Sequence, residues 1–311
     1  MLRSTLLYLS NQPQIFRFIR GNRLARAFAR RFVAGETLDE ALSAVSQLNR
    51  RGISASLDEL GESVTNETEA RATRDSYLRI LDHVAEARLD ANVSVKLTAL
   101  GLDVSEELCV SLMHDLLERA RQYGTFVRID MEASEYTERT LRLFEERFFP
   151  SYRANVGIVL QSYLYRTWAD VERAVELQCR VRLCKGAYKE PATVAFPAKR
   201  DVDANYAKCL RALLERANYP GLATHDTALI GQAIAFAKEK GIEASRFEFQ
   251  MLYGVRRDLQ EKLVREGWRM RVYVPFGTQW YPYLMRRLAE RPANVAFMTG
   301  NVVREALSWR R

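Results

Sequence analysis

The sequence contains few cysteines, and none of them is placed to form a metal site or a redox pair. Its 311 residues include four, Cys109, Cys179, Cys184 and Cys209, and no C-x-x-C pair occurs. No cluster of histidine and cysteine has the spacing of metal ligands. We therefore expect a reduced, cytoplasmic protein without a bound metal ion.

Long apolar runs are also missing. No stretch of about 18 uncharged apolar residues occurs, so the sequence predicts no membrane-spanning helix. Hydrophobic residues make up 48% of the chain and charged residues 28%. This balance is typical of a globular protein and excludes a disordered one, which has too little apolar surface to offset chain entropy.

Positive charge is concentrated at the amino end. The net charge is +8, and residues 1–34 contain seven arginines and no acidic residue. This segment resembles a mitochondrial presequence or a basic amphipathic helix pair, which either packs on the body of the protein or contacts anionic lipid. The rest of the chain is almost neutral and lacks zinc-finger, RNA-reading and recognition-helix patterns, so we expect no nucleic-acid partner.

Short β-rich runs alternate with amphipathic helical runs along the body of the chain. The predicted strands are 53–60, 92–100, 125–132, 156–163, 179–186, 221–226, 246–252 and 269–276. Regular alternation indicates a parallel sheet, and eight units predict a distorted (β/α)8 barrel with extra amino-terminal helices. An open doubly wound sheet is the alternative, but no G-x-G or phosphate-binding loop motif occurs. We divide the chain into an N-terminal helical arm (1–50) and a catalytic barrel (51–311).

Side-chain oxygens mark three helix starts. Asn66 precedes Glu69 by three residues, as Asp103 does Glu106 and Thr167 does Asp170. Such residues accept hydrogen bonds from the free amides of a first helical turn. They predict helices over 68–88, 104–123 and 168–178.

Polar residues fall at the end of nearly every predicted strand. They are Asp58, Glu59, Lys96, Asp130, Glu132, Gln161, Arg182, Lys185, Thr224, His225, Gln250 and Tyr273. In (β/α)8 barrels the carboxyl ends of the strands form the active site. A convergent set of buried polar groups there predicts a binding site rather than ordinary core polar residues.

The last predicted helix has a polar face. Tyr283, Arg286, Arg287 and Glu290 are spaced i, i+3, i+4 and i+7, which places them on one side of a helix. This pattern is also typical of a solvated charged stripe. Beside a barrel mouth, however, paired arginines suit bidentate binding of a carboxylate.

Several segments together resemble flavin-dependent proline dehydrogenases in order and spacing. These segments are SVKLTAL, VRIDME, VLQSY, VRLCKGAY, ATHD, FEFQMLYG and RVYVPFG followed by YLMRRLAER. They cover roughly residues 50–300, and the chain is similar to the monofunctional bacterial form, without a second, aldehyde dehydrogenase domain. The resemblance implies FAD as cofactor, oxidation of L-proline to Δ1-pyrroline-5-carboxylate in proline catabolism, and a membrane quinone as electron acceptor.

The resemblance also implies roles for individual residues. Asp130 and Arg182 are implied as catalytic, with Asp130 beside Lys96 and Arg182 against the flavin. The implied proline pocket consists of Lys96, Tyr273, Tyr283, Arg286, Arg287 and Leu252. The implied FAD site consists of Ile129, Gln161, Arg182, Lys185, Gly186, Ala187, Tyr188, Lys199, Thr224, His225 and Glu290. Glu62 matches a glutamate that can pair with Arg286 as a lid.

Two other functions stay open on the residues alone. Lys96 or Lys185 could form a Schiff base in an aldolase-type lyase without flavin. A basic binding protein acting through residues 1–34 is the third hypothesis. The quinone acceptor is compatible with a cytoplasmic enzyme whose basic segment lies at the inner face of the membrane.

Overall fold

The described part of the chain forms a closed parallel barrel of eight strands in sequential order. The computed structural model describes residues 30–61 and 64–290, with side chains described as far as Met285. The strands are β1 (Ser54–Glu59), β2 (Ala91–Val95), β3 (Val127–Ile129), β4 (Val156–Gln161), β5 (Arg180–Cys184), β6 (Gly221–Ala223), β7 (Glu248–Leu252) and β8 (Met270–Phe276). Strand β1 pairs with both β2 and β8, which closes the barrel.

Helices follow the strands and surround the barrel. They are α1 (Leu38–Asn49), α2 (Glu67–Glu86), α3 (Glu106–Gln122), α4 (Ser134–Leu143), α5 (Phe149–Tyr152), α6 (Thr167–Leu177), α7 (Lys199–Arg216), α8 (Thr227–Glu239), α9 (Arg257–Arg265) and α10 (Trp280–Glu290). A π-helical turn (Phe144–Phe148) joins α4 to α5, and 3-10 turns lie at Thr98–Leu100 and Ala244–Arg246. The predicted barrel is therefore observed.

Polar side chains line the inside of the barrel, whereas apolar side chains face the helices. Arg182 of β5 reaches Gln250 of β7 and Ser94 of β2. Because side chains alternate along a strand, the two neighbours of Arg182 point outward. These neighbours, Val181 and Leu183, are fully buried in the main hydrophobic core. The core thus lies between strands and helices, and the lumen is available for polar chemistry.

Helix α1 belongs to the same core as the strands. Its Ala41, Val45 and Leu48 are buried with the residues of β1 and β2. Thr37 caps the helix with a capping box: its hydroxyl accepts from the Glu40 amide, and the Glu40 carboxylate accepts from the Thr37 amide. The division of the chain at residue 50 stays a prediction.

Of the three predicted helix starts, the first is confirmed and the second is wrong. The Asn66 side chain accepts from the Glu69 amide and caps α2, as predicted. Helix α3 is instead capped by Ser105. The carboxylate of Asp103 is engaged elsewhere, because it accepts a hydrogen bond of 2.8 Å from the Tyr136 hydroxyl.

The third start and several strand ends are also displaced. Thr167 is the first residue of α6 rather than its cap, and its hydroxyl donates to the Gln161 carbonyl. The second predicted strand ends early because the chain turns at Thr98. Its amide and hydroxyl donate to Glu132 over 3.2 and 2.6 Å. Tertiary hydrogen bonds therefore set these boundaries.

Some predicted features lie outside the described residues. They are the segment 1–29, Glu62, and the side chains of Arg286, Arg287 and Glu290. The backbone of 286–290 belongs to α10.

Candidate functional site

Three strand ends meet at Asp130. Its Oδ1 accepts from the Arg182 guanidinium at 2.7 Å, and its Oδ2 accepts from the Tyr273 hydroxyl at 2.8 Å. The Arg182 guanidinium also lies 5.2 Å from the centre of the Tyr273 ring. The Asp130 and Arg182 side chains are only 12% and 8% exposed. The barrel thus brings together a carboxylate, a cation and a phenol that the sequence predicted as site residues.

The Tyr273 hydroxyl is held in its protonated form. Burial, and then the negative charge of Asp130, raise the pKa of Tyr273 well above its ordinary value. Tyr273 is therefore a hydrogen-bond donor near neutral pH.

Lys96 lies at the same mouth but forms a different ion pair from the one expected. Its Nζ is 3.6 Å from the Asp58 carboxylate, and no ion pair with Asp130 is found among the described side chains. Asp58 is 2% exposed and lies 3.4 Å from the Tyr77 hydroxyl. The expected Lys96–Asp130 pair is therefore replaced by Lys96–Asp58, because Asp130 is taken by Arg182.

A second charged group follows β5 and β6. The Lys185 Nζ lies 2.5 Å from Asp203 and 2.9 Å from Asp226, and Lys199 contacts both of these carboxylates. Burial acts to raise the pKa of Asp203, but Lys185 and Lys199 outweigh it and hold the value below the ordinary one. Lys185 does the same for Asp226. Two predicted cofactor-binding lysines thus share one cluster.

Gln161 carries an unusual buried acceptor. Gln161 is 4% exposed, and its Nε2 donates to the Met131 carbonyl over a long distance of 3.4 Å. Its Oε1 has no hydrogen-bond partner among the described residues. A buried acceptor without a donor costs about 1–3 kcal/mol, which points to a missing ligand group.

Gly186 permits a tight turn directly after β5. Its φ is +103°, and a Cβ there would come within 2.4 Å of the Tyr163 ring. Any side chain at this position would therefore be strained and would displace the ring. Ala187 is exposed, and Tyr188 is half-buried.

Thr224 and His225 follow β6, and their side chains form hydrogen bonds to the Asp226 backbone and to the end of β7. The His225 Nε2 accepts from the Leu252 amide at 3.0 Å, which fixes the imidazole beside the end of β7. The Thr224 hydroxyl accepts from the Asp226 amide at 3.1 Å. The predicted residues Thr224, His225 and Leu252 are thus neighbours.

Two predicted site residues, Tyr283 and Ile129, are buried in hydrophobic clusters. Tyr283 packs in a separate apolar cluster with Trp280 and Leu284 of α10. Ile129 is fully buried, with its side chain in the main core, so only its backbone can approach a ligand in the lumen.

The sequence did not indicate several residues of the site. Asp203 and Asp226 complete the lysine cluster, Ser94 contacts Arg182, and Glu190 accepts from the Ser134 amide. Asp203 lies four residues after Lys199, a spacing that favours ion pairing on a helix and that could have revealed it. Ser94 gives no such signal, because its role depends on barrel closure.

Among the described residues, no group of three or more His, Cys, Asp or Glu side chains could hold a metal ion. The helices in that part of the chain are not long and apolar enough to cross a membrane.

Fold and site define a (β/α)8 enzyme with two groups of charged side chains at the carboxyl ends of its strands. The sequence profile of the family described as Proline dehydrogenase matches residues 41–300. The chain belongs to the proline dehydrogenase family, which confirms the predicted family and its oxidoreductase class.

Full-length relatives agree with this assignment. The chain is 43% identical over 307 residues to "Proline dehydrogenase 1" of Bacillus subtilis subsp. natto, covering 98% of this chain and 100% of that protein. It is 38% identical to "Proline dehydrogenase" of Deinococcus radiodurans, with 98% of both chains covered.

A solved structure shares the fold. Proline utilization A from Bdellovibrio bacteriovorus, inactivated by N-propargylglycine, superposes with a TM-score of 0.81 at 28% identity, over 89% of this chain and 34% of that one. The predicted barrel is thereby confirmed.

Proposed function

We propose that this protein oxidises L-proline to Δ1-pyrroline-5-carboxylate, holds FAD at the carboxyl ends of the barrel strands, and passes electrons to a quinone. The observation that carries the proposal is the Asp130–Arg182–Tyr273 cluster at the mouth of a barrel of the proline dehydrogenase family.

The residues present fit FAD. The unpartnered Gln161 Oε1 is suited to a donor on a heteroaromatic ring, and Lys185 and Lys199 are suited to a pyrophosphate. Gly186 supplies the positive φ of +103° with which the chain turns after β5 towards Ala187 and Tyr188. When bound, FAD supplies the hydride acceptor, which protein side chains lack.

Arg182 supplies fixed positive charge at the reaction site. The described residues accept one N–H from each of its three nitrogens, at Gln250, Asp130 and Ser94. A guanidinium has five N–H groups, so two are left for a ligand. A preoriented cation stabilises the negative charge that arrives on the cofactor during reduction.

Proline binding is assigned to α10 and the strand ends. By the resemblance to the family, we assign Arg286 and Arg287 to the proline carboxylate, which guanidinium groups suit as bidentate donors, with Lys96 on its other side and Tyr273 and Leu252 beside the ring. Holding the substrate carbon in one orientation removes part of the entropic barrier to hydride transfer.

Tyr273 does not act as a general base. It keeps its proton near neutral pH, and its hydroxyl donates to Asp130. We assign the loss of the proline amine proton to a step before or during binding.

A visible spectrum tests the proposal. Protein purified with FAD should be yellow, and anaerobic L-proline should bleach it and yield the cyclic imine. A colourless protein that is trapped on Lys96 or Lys185 by borohydride with a carbonyl substrate would instead support a Schiff-base lyase. The position of Lys185 between two carboxylates disfavours that role, because Schiff-base lysines are activated by desolvation or by neighbouring cations.

The electron acceptor and the location of the protein need separate tests. Rapid mixing of the proline-reduced protein with a soluble short-chain quinone should restore the yellow colour faster than oxygen does. We place the enzyme in the cytoplasm, with residues 1–34 either on the barrel or against anionic lipid. Salt-sensitive co-sedimentation with anionic but not zwitterionic vesicles would support lipid contact.

A further inference from the structure

The buried Gln250 amide lies between Arg182 and the ion pair of Glu248 with Arg271. The Gln250 Oε1 accepts from the Arg182 Nε at 2.6 Å, and the Gln250 Nε2 donates to the Glu248 Oε1 at 2.6 Å. Glu248 in turn accepts from the Arg271 Nε at 2.8 Å. Glu248 and Gln250 are each 4% exposed. We name this chain of contacts, Arg271–Glu248–Gln250–Arg182, the lumen relay.

The two ends of the relay leave only one orientation for the Gln250 amide. Arg182 can only donate hydrogen bonds, and an ionised Glu248 can only accept them. The amide oxygen must therefore face Arg182, and the amide nitrogen must face Glu248. A reversed amide would oppose two donors at Arg182 and two acceptors at Glu248.

Neighbouring groups keep Glu248 ionised and fixed. Burial alone raises the pKa of a carboxyl group, but the charge and hydrogen bond of Arg271 outweigh it, so the pKa of Glu248 is lowered. The Tyr219 hydroxyl also donates to the Glu248 Oε2 at 3.1 Å. The acceptor that orients Gln250 is thus present throughout the neutral pH range.

The absence of a side chain at Gly221 leaves room for the Gln250 amide. Gly221 of β6 is a buried glycine next to β7, and a Cβ there would lie 2.3 Å from the Gln250 Nε2. Strand β6 pairs with β7 at Gly221 and Glu248. A glycine inside a strand weakens it, so its presence here is explained by the Gln250 side chain.

We propose that Gln250 and Glu248 are positioning residues that hold Arg182 in the orientation needed to stabilise the reduced cofactor. This inference rests on the proposed FAD-dependent function. Gln250 contacts Arg182 directly, and Glu248 acts on it through Gln250. Loss of the relay should leave Arg182 held by Asp130 and Ser94 alone, so that its orientation is less fixed and the bound flavin is harder to reduce.

The test compares single exchanges with a double exchange of the same two positions. Gln250→Leu removes the acceptor for Arg182. Glu248→Gln lets the amides reverse. Each should shift the two-electron reduction equilibrium of bound FAD at least tenfold toward the oxidised form, which is about 30 mV. Each should also lower kcat about tenfold, while KM for L-proline changes less than twofold.

The double variant Glu248→Gln/Gln250→Glu distinguishes an effect of hydrogen-bond polarity from an effect of side-chain packing. It keeps the side-chain volumes and the total charge, offers an acceptor oxygen to Arg182, and offers an amide donor between the two positions. The relay predicts recovery of the reduction equilibrium to within threefold of the parent. Tyr219→Phe is the matched control, since it removes a contact to Glu248 without altering Gln250, and it should leave the flavin potential unchanged.

Each outcome bears on the relay. Single variants that bind FAD with the parent's potential would overturn it. If the single variants do not fold or do not retain FAD, the double variant decides. Recovery of the reduction equilibrium of bound FAD in the double variant supports the relay. A double variant that is unfolded, or whose reduction equilibrium is still shifted, contradicts it. A parent protein that binds no FAD and is not reduced by proline would defeat the proposed function itself. A normal parent with unaffected variants would defeat only the relay.

Discussion

At the scale of single residues, the site is organised by carboxylates whose oxygens are each assigned to a different partner. Asp130 receives Arg182 on one oxygen and Tyr273 on the other, which ties together the ends of β3, β5 and β8. Charge-assisted hydrogen bonds of this kind are stronger than neutral ones and fix direction. Removal of one partner should therefore disturb the remaining two.

Tyr273→Phe tests this organisation. The substitution leaves the Asp130 Oδ2 without its phenol donor in a site that is 12% exposed. We expect the free energy of unfolding to fall by about 1–3 kcal/mol, measured by urea denaturation. Tyr165→Phe is the control, because its hydroxyl donates to the Ala192 carbonyl on the surface, and it should cost less than about 0.5 kcal/mol. Equal losses in the two variants would contradict the special role of Asp130.

Lys185 offers a test of the cofactor site. Lys185→Met removes the more buried of the two lysines that contact Asp203 and Asp226, so that less positive charge offsets the two carboxylates when a phosphate binds. We expect the Kd for FAD, measured by fluorescence titration of the apoprotein, to rise at least tenfold. Lys208→Met is a matched control on α7, since Lys208 lies over the Trp168 ring. An unchanged Kd in the Lys185 variant would remove this cluster from the FAD site.

At the scale of elements, the segment 30–36 forms a strap against the start of α10. The Ala34 amide donates to the Pro275 carbonyl at 2.9 Å, and the Trp280 Nε1 donates to Glu36 at 2.9 Å. Phe32 and Val33 are buried in the same apolar cluster as Trp280. The strap therefore positions the helix to which proline binding is assigned.

Glu36→Ala should weaken proline binding through this helix. Loss of the bond to Trp280 removes a charge-assisted contact worth about 1.5–3 kcal/mol, so α10 should dock less firmly. We expect KM for L-proline to rise about tenfold with kcat changed less than threefold. Glu36→Gln, which keeps an acceptor oxygen, should recover most of the affinity, and exposed Asp39→Asn should behave like the parent. A fall in kcat with unchanged KM would assign the strap to another step.

The elements also show what sequence patterns can and cannot predict. All eight strands were predictable because short β-rich runs alternate regularly with helical runs, but their ends depend on contacts between distant segments. Strand β2 stops where Thr98 bonds to Glu132, a residue 34 positions away. Likewise Ser105 rather than Asp103 caps α3, because Tyr136 takes the Asp103 carboxylate. Local patterns contain no information on such partners.

Dependence on partners that are distant in the sequence also explains which contacts of the site could not be predicted. Predicted polar residues meet at the mouth because the carboxyl ends of parallel strands lie at one edge. The choice of partner among them depends on side-chain reach across the lumen, which is why Lys96 pairs with Asp58 while Asp130 pairs with Arg182. Gln250 was visible in the sequence as a polar strand residue, but its role required the orientation set by Glu248.

At the scale of the whole molecule, carboxylates with lowered pKa values link stability to pH. Arg271 lowers the pKa of buried Glu248 against the effect of burial, and lysines do so for Asp203 and Asp226. Such groups bind protons more weakly in the folded protein than in the unfolded chain. They therefore stabilise the fold above their ordinary pKa values, and this stabilisation is lost as the pH falls through the folded-state values.

We accordingly expect acid to destabilise the protein in two stages. Burial, and then the charge of Arg147, lower the pKa of His114 from 6.5, so the unfolded chain takes up this proton first and stability declines slightly below pH 6.5. A steeper decline should begin near the ordinary carboxyl values of 3.8 and 4.5. Urea denaturation at pH 7.5, 5.5 and 3.0 measures both stages, and Asp226→Asn should flatten the second stage by losing more stability at pH 7.5 than at pH 3.0. Salt should weaken the contribution of surface pairs but not that of Glu248, which is shielded from counterions. Equal unfolding free energies at pH 5.5 and 3.0 would show that these carboxylates are not coupled to the fold.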